Sequence, residues 1–213
     1  MGAALSHGVH LERAQGVSAP PAPPILLAST SPQRRAILEQ LEIPFEVVAP
    51  AYEEHDEAGA SPSELVRAHA AGKARSVAET AGDRPVLGVD TAVVLDGKAY
   101  GKPGGAEEAA EMLETLGGRT HAVVSGLCLL TPAWEEVKEE ATSVTFRPLT
   151  PRDIAGYVAS CEWEGRAGAY AIQGLRAGLV ERIEGDYLNV VGLPGALLIR
   201  LLAERFAGAY GFG

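Results

Sequence analysis

The sequence has little cysteine, a deficit of basic charge and no long hydrophobic run. Its two cysteines, Cys128 and Cys161, form no close pair and no ligand-like spacing, so they point neither to a thiolate metal set nor to secretion; a single disulfide stays open. Cys128 lies in the apolar run Gly126–Leu130 and reads as a small buried residue. No segment approaches the roughly 20 apolar residues of a membrane helix. The first 24 residues contain Glu12, Arg13 and many Ala and Pro, with no apolar core of signal-peptide length. A cytoplasmic, reducing address is the expectation. Lysine and arginine number 18 against 28 aspartates and glutamates, for a formal net charge of −10. That disfavours broad binding to nucleic-acid polymers or anionic membranes, which needs a basic face. A small anionic ligand remains open, because a few local cations can dominate one pocket. A polyanion on so acidic a chain calls for a metal ion as well.

What is present suits a soluble α/β protein. Of the 213 residues, 46% are hydrophobic and 22% charged, ordinary globular usage for one domain. Residues 1–24 end in Ala19-Pro-Pro-Ala-Pro-Pro24, a stiff, coreless lead-in expected to lie outside the fold. A single domain is expected over 25–207, with a short tail at 208–213. Ile25–Ala28 reads as a buried strand, followed by Ser31 as an N-cap, Pro32 at the first helical position and a helix to about residue 42. Phe45–Val48 reads as a second strand. Ser61-Pro-Ser-Glu64 is a capping box opening a helix towards Thr80. Pro85–Asp90 reads as a strand ending on a carboxylate, and Asp96-Gly97 as a hairpin turn between Val93–Leu95 and Lys98–Tyr100. A helix follows over 106–116, then paired strands near 120–130 and 140–147, a helix from Thr150-Pro151, and a last helix from Pro194 to about Phe206. Strands alternating with helices, plus hairpins, imply a mixed, twisted α/β sheet flanked by helices.

Several stretches carry chemical potential. Leu27-Ala-Ser-Thr-Ser-Pro-Gln-Arg-Arg35 joins a strand to a helix start, where free backbone N–H groups and the helix dipole favour an anion. Arg34 falls in the first turn, an unfavourable place for a cation unless negative charge is near. A capped helix with solvated arginines is the alternative. Asp90 closes an apolar run and precedes Thr91, a position suited to a cleft at strand ends. Glu53 and Glu54 sit in an acidic loop that reads equally as a solvated face or as partners of Asp90 around a divalent cation. Lys73 has small neighbours, Ala70-Ala-Gly72 and Ala74. Lys102 is held in the rigid Gly101-Lys-Pro103. Gln173, in a glycine-rich, aromatic segment from Trp163 to Gly174, offers both donor and acceptor to a base edge. Gly185–Pro194 is a second tight segment.

In order, Ser29-Thr-Ser-Pro-Gln-Arg34, Glu53-Glu54, Lys73, Gly88-Val-Asp-Thr-Ala-Val-Val94, Gly101-Lys-Pro103, Ala167–Gly174 and Gly185–Pro194 resemble the Maf-like nucleoside triphosphate pyrophosphatases over about residues 25–206. The resemblance implies an α/β fold with a central nucleotide cleft, related to the inosine triphosphate pyrophosphatases. It also implies a homodimer, a divalent cation (Mg²⁺ or Mn²⁺), and hydrolysis of a nucleoside triphosphate between its α- and β-phosphates. Carried over, Asp90 is the proton acceptor, and Glu54 and Asp90 hold the metal. Ser29, Arg34, Lys73 and Lys102 grip phosphates, with Lys73 and Lys102 in the catalytic set; Ser31, Gln33, Thr91 and Gln173 complete the substrate site. One family branch favours dTTP and UTP, another 7-methyl-GTP. Thr91 and Gln173 resemble the first; Gln33 fits neither, and Arg166 stands where lysine is common. An inosine or xanthosine triphosphate pyrophosphatase, or a non-catalytic nucleotide-binding regulator of septum formation, are the alternatives.

Overall fold

Proline at the first helical position sets three helix starts in the computed structural model, which describes residues 22–174 and 177–212. These are Pro32–Gln40 (α1), Pro62–Val77 (α2) and Pro151–Val158 (α4); Ala106–Leu116 (α3) lies between the last two. Ser61 and Thr150 each accept a hydrogen bond from the backbone three residues on, and Glu64 and Asp153 reach back to the cap N–H, closing two capping boxes. Ser31 departs from expectation. It occupies the cap position of α1 with extended backbone, but its hydroxyl pairs with the Gln33 side chain and leaves the first-turn N–H groups uncapped. The short Tyr187–Val191 (α5) and the longer Gly195–Phe206 (α6) complete the α-helices; Pro194 caps α6 rather than beginning it. The lead-in expected over 1–24 falls outside the described residues as far as residue 21.

Seven strands form one sheet in the order β2-β1-β3-β5-β6-β7, with β4 paired to β3. They are Ile25–Ala28 (β1), Phe45–Val48 (β2), Val86–Leu95 (β3), Lys98–Tyr100 (β4), Thr120–Leu130 (β5), Glu135–Phe146 (β6) and Val180–Glu184 (β7). β1 runs parallel to β2 and β3; the remaining pairs are antiparallel. The architecture is the mixed, helix-flanked sheet expected, with two local corrections. β3 does not end on Asp90. It continues unbroken to Leu95, because β5 pairs with it from Val86 to Val94 and the Asp96-Gly97 turn, both residues at positive φ, then reverses the chain. β6 starts at Glu135, earlier than the apolar pattern suggests. Its charged first half is held by backbone pairing to β5 and by two ion pairs from opposite faces, Arg75–Glu135 (2.6 Å) from α2 and Arg205–Glu136 (2.5 Å) from α6.

Strand alternation sorts the core. Leu26, Ala28 and Val86 pack against Ala70, Ala74 and Val77 of α2. Ile25, Leu27, Leu87 and Val89 face the other way, onto Ile37 and Leu38 of α1 and Leu197, Leu198, Leu201 and Leu202 of α6. A fully buried leucine of this kind contributes about 1.5–3 kcal/mol over an exposed one. Farther along the sheet, Val93, Val123 and Phe146 pack with Leu113 and Leu116 of α3 and Tyr157 of α4. The two ends of the described chain meet: the Tyr210 hydroxyl donates to the Pro23 carbonyl at 2.8 Å, and Tyr210 and Phe212, in the expected tail, lie against the α6 cluster.

His121 on β5 is buried beside this core. Its ring meets Phe146 and Tyr170 edge-on, and its Nε2 lies 2.9 Å from the Tyr170 hydroxyl. Burial lowers its pKa to about 4. The unfolded chain takes up this proton below about pH 6.5 and the folded one only near pH 4, so stability falls as pH drops through that window. The loss from this group is roughly 3 kcal/mol. Thermal midpoints recorded from pH 7 to pH 4 should decline, and His121→Gln should flatten part of the decline. An unchanged slope in that variant would remove His121 as its source.

Candidate active site

β1 stops at Ala28 while its neighbour β3 runs on, and a cleft of about 400 Å³ opens where β1 ends. This is a normal volume for a small-molecule site. The β1–α1 turn forms one wall, the loop after β2 and Lys73 of α2 another, and residues 165–173 and 190–192 close it. Of the sequence-predicted residues, Ser29, Ser31, Gln33, Arg34, Glu54, Lys73, Thr91, Lys102 and Gln173 all line the cleft. Glu53, 91% exposed beside His55, and Asp90 do not. Asp90 sits mid-strand opposite Gly126, on the α2 face of the sheet, with its side chain 15% exposed.

Lys73 joins the carboxylates. Its Nζ lies 2.6 Å from Asp90 Oδ1 and 2.6 Å from Glu54 Oε1. Lys73 is 11% exposed and Glu54 53%, so the ion pair to Asp90 is the shielded one and the stronger per contact. Glu54 Oε2 and Asp90 Oδ2 make no hydrogen bond or ion pair among the described residues. No group of three or more His, Cys, Asp or Glu residues forms a metal cage among them either. Two carboxylates with free oxygens fit a hard cation that completes its shell with water and phosphate oxygens. They do not fit a site built wholly from protein.

Arg34 ties three distant segments together. Its Nε donates to the Gly192 carbonyl (3.0 Å), Nη1 to Ser29 Oγ (3.0 Å) and Nη2 to Thr91 Oγ1 (3.3 Å). Thr91 Oγ1 also lies 2.9 Å from Ser125 Oγ, and Ser29 Oγ accepts from the Ser31 N–H at 3.2 Å. Burial lowers the Arg34 pKa, opposed by the charges of Asp90 and Glu54; a guanidinium stays cationic all the same. The first-turn cation on α1 therefore does have negative charge nearby.

The sequence's two departures from the family pattern meet across the cleft. A guanidinium only donates, so the Gln33 amide turns its oxygen to Arg166, accepting from Nη1 at 2.9 Å and Nη2 at 3.0 Å, while its NH₂ donates to Ser31 Oγ at 2.9 Å. Gln33 and Arg166 thus form one polar unit. Lys102 and Gln173 are exposed at the rim. The Gly101 carbonyl accepts from Gly168 N–H at 3.0 Å. Gly168 itself has φ +66°, and a Cβ there would lie 2.7 Å from Val93.

Three residues the sequence reading did not single out surround Glu54. Tyr52 lines the cleft, and its hydroxyl lies 3.1 Å from His69 Nδ1; Asp56 Oδ1 lies 3.0 Å from His69 Nε2. Burial, together with Glu54, Asp90 and Asp56, raises the Tyr52 pKa. Spacing gives no hint of this cluster, since 52–57 reads as a solvated charge run.

A family model described as Maf-like protein matches residues 24–205. A dTTP/UTP pyrophosphatase of Gloeobacter violaceus is 47% identical over 180 residues, 84% of this chain and 95% of that one. One from Bacillus cytotoxicus is 46% identical over 184 residues, covering 86% and 96%. One from Deinococcus radiodurans is 43% identical over 192 residues, covering 90% and 97%.

Proposed function

The chain belongs to the Maf-like family, and on that premise we propose that it is a nucleoside triphosphate pyrophosphatase acting on dTTP and UTP. The reaction cleaves the α–β phosphoanhydride to the monophosphate and pyrophosphate. The observation that carries the reading is Lys73 held between Glu54 and Asp90 beside a cleft walled by the β1–α1 turn.

Each residue has a physical role in it. The uncapped N–H groups of α1, with Ser29 and Arg34, meet the phosphates. Lys73 and Lys102 add positive charge where the departing pyrophosphate gains negative charge, so they bind the transition state more tightly than the substrate. Lys73 also orients Asp90, whose carboxylate would take the proton of the attacking water. Glu54 and Asp90 are the residues that would hold Mg²⁺ or Mn²⁺. Such an ion, when bound, neutralises phosphate charge and makes water more acidic. Thr91, Gln173 and the Gln33–Arg166 unit are the polar lining residues left to meet sugar and base. A homodimer and a cytoplasmic address belong to the same proposal. Cys128 and Cys161 are both free thiols, which suits a reducing compartment, and among the described residues no helix is long and apolar enough to cross a membrane.

The test is pyrophosphate release with Mg²⁺ and with Mg²⁺ withdrawn, across dTTP, UTP, 7-methyl-GTP, ITP and the common nucleotides. Release should be fastest with dTTP and UTP and should stop on chelation. Preference for 7-methyl-GTP or ITP would overturn the substrate class. Tight nucleotide binding without release from any of them would overturn the enzyme and favour a regulator.

A further inference from the structure

We infer that His69 is a positioning residue that holds Glu54 in place by strapping the loop around it to α2. The inference rests on the role proposed for Glu54. Residues 49–60 carry no helix or strand, so the loop's own backbone does not fix Glu54. What fixes it is α2. Tyr52, Glu54 and Asp56 are alternate residues, which in extended chain share one side, and all three turn to the helix. His69 takes the outer two, through Nδ1 to the Tyr52 hydroxyl at 3.1 Å and Nε2 to Asp56 Oδ1 at 3.0 Å. Lys73, one helical turn farther on, takes the middle one at 2.6 Å.

The packing around the imidazole is built for this. His69 is buried and both of its ring nitrogens are engaged. Nε2 faces a carboxylate and Nδ1 a hydroxyl, which can donate or accept, so no polar atom of the ring is left over. The Tyr52 ring lies directly on the α2 backbone: a Cβ at Gly72 would sit 2.2 Å from it. Gly72 thus clears the space that lets Tyr52 reach back one turn to His69. With both ring nitrogens committed, His69 acts on chemistry only through where it puts Glu54, and it touches neither Lys73 nor Asp90 among its hydrogen-bond partners. Residues that orient ligating carboxylates typically change metal affinity or activity by about 10–100-fold when removed.

The experiment uses His69→Leu, with Tyr52→Phe and Asp56→Asn as milder variants that keep the ring or the side-chain size. In the protein alone, amide exchange over residues 49–60 should quicken in His69→Leu by about tenfold or more, with α2 retaining its protection. Calorimetry with Mn²⁺ alone should give about tenfold weaker binding. In pyrophosphate release kcat should fall by about tenfold, with KM for the nucleotide within about twofold. The milder variants should each show part of the effect. In a Glu54→Gln background His69→Leu should cost nothing further, because its influence passes through Glu54. Parental exchange over 49–60 in a folded His69→Leu protein would overturn the strap. An equal kcat loss with and without Glu54 would overturn its route to the site. Failure of the parent enzyme to release pyrophosphate would overturn the functional reading instead, and the exchange result would still decide whether the strap exists.

Discussion

Asp90→Asn should lower kcat for dTTP by about 10²–10⁴-fold, the usual contribution of a positioned general base, with the fold retained. The substitution is close to isosteric, and its backbone stays paired opposite Gly126 in the middle of β3. What changes is the ability to take a proton and the charge shared with Lys73. Lys73 keeps Glu54 at 2.6 Å, so no buried cation is stranded, and the thermal midpoint should stay within a few degrees of the parent. Loss of rate with an unchanged melting curve is therefore the signature to look for. Turnover at the parent rate would remove Asp90 as the base. Dissociation constants for a non-hydrolysable nucleotide separate the two remaining contributions: unchanged binding places the loss in the chemical step, weaker binding places it in the cation site.

Gly126→Val should be the most damaging single change to stability in the sheet. Even the first atom of a side chain at Gly126 would lie 2.1 Å from the Val66 carbonyl oxygen, 2.4 Å from its carbon and 2.7 Å from the Arg67 nitrogen. These are backbone atoms of α2 and cannot swing aside as a side-chain tip would. Gly88, paired with Cys128 one step along, makes the same approach to the Ala70 carbonyl at 2.1 Å. The helix must lift off β3 and β5, opening the contact with Leu26, Ala28, Val86 and Cys128. Overpacking of this kind costs about 1–3 kcal/mol when side chains can adjust, so about 3 kcal/mol or more is expected here. Because α2 carries Lys73 and His69, activity should be lost even where the variant remains folded. Urea midpoints measure the effect, and Gly178→Ala, with nothing within 4 Å of the added atom, is the control. A Gly126→Val midpoint equal to the parent's would mean that α2 does not rest on the sheet as described.

These contacts mark the line between what the sequence discloses and what it does not. Proline-initiated helices, the Ser61–Glu64 capping box and the Asp96-Gly97 turn are legible because each is settled by residues within about four positions of one another. The candidate residues are legible for a different reason: their order resembles a known family, and the cleft then gathers them along its walls, Asp90 and Glu53 apart. Less legible is anything decided across the fold. The continuation of β3 through Asp90 depends on its long pairing with β5, and the early start of β6 on cations from two other helices. Asp90 consequently faces α2 from mid-strand, where a strand-end cleft position was expected. Gln33 and Arg166 look like unrelated exceptions until one side chain is found on the other. His69 lies 17 residues from Tyr52 and 13 from Asp56, too far for any helical or strand period to associate it with them.

Arg34 has a consequence for how the protein comes into being. Its guanidinium bonds to Ser29, Thr91 and Gly192, which leave the ribosome far apart in time. Ser29 and Arg34 emerge long before the last of these partners, Gly192, which is synthesised 158 residues after the arginine. A fragment ending before Gly192 holds the β1–α1 turn without the carbonyl that orients Arg34. The site is therefore finished late in translation, and a nascent or truncated chain should bind nucleotide poorly until its final helix has been made.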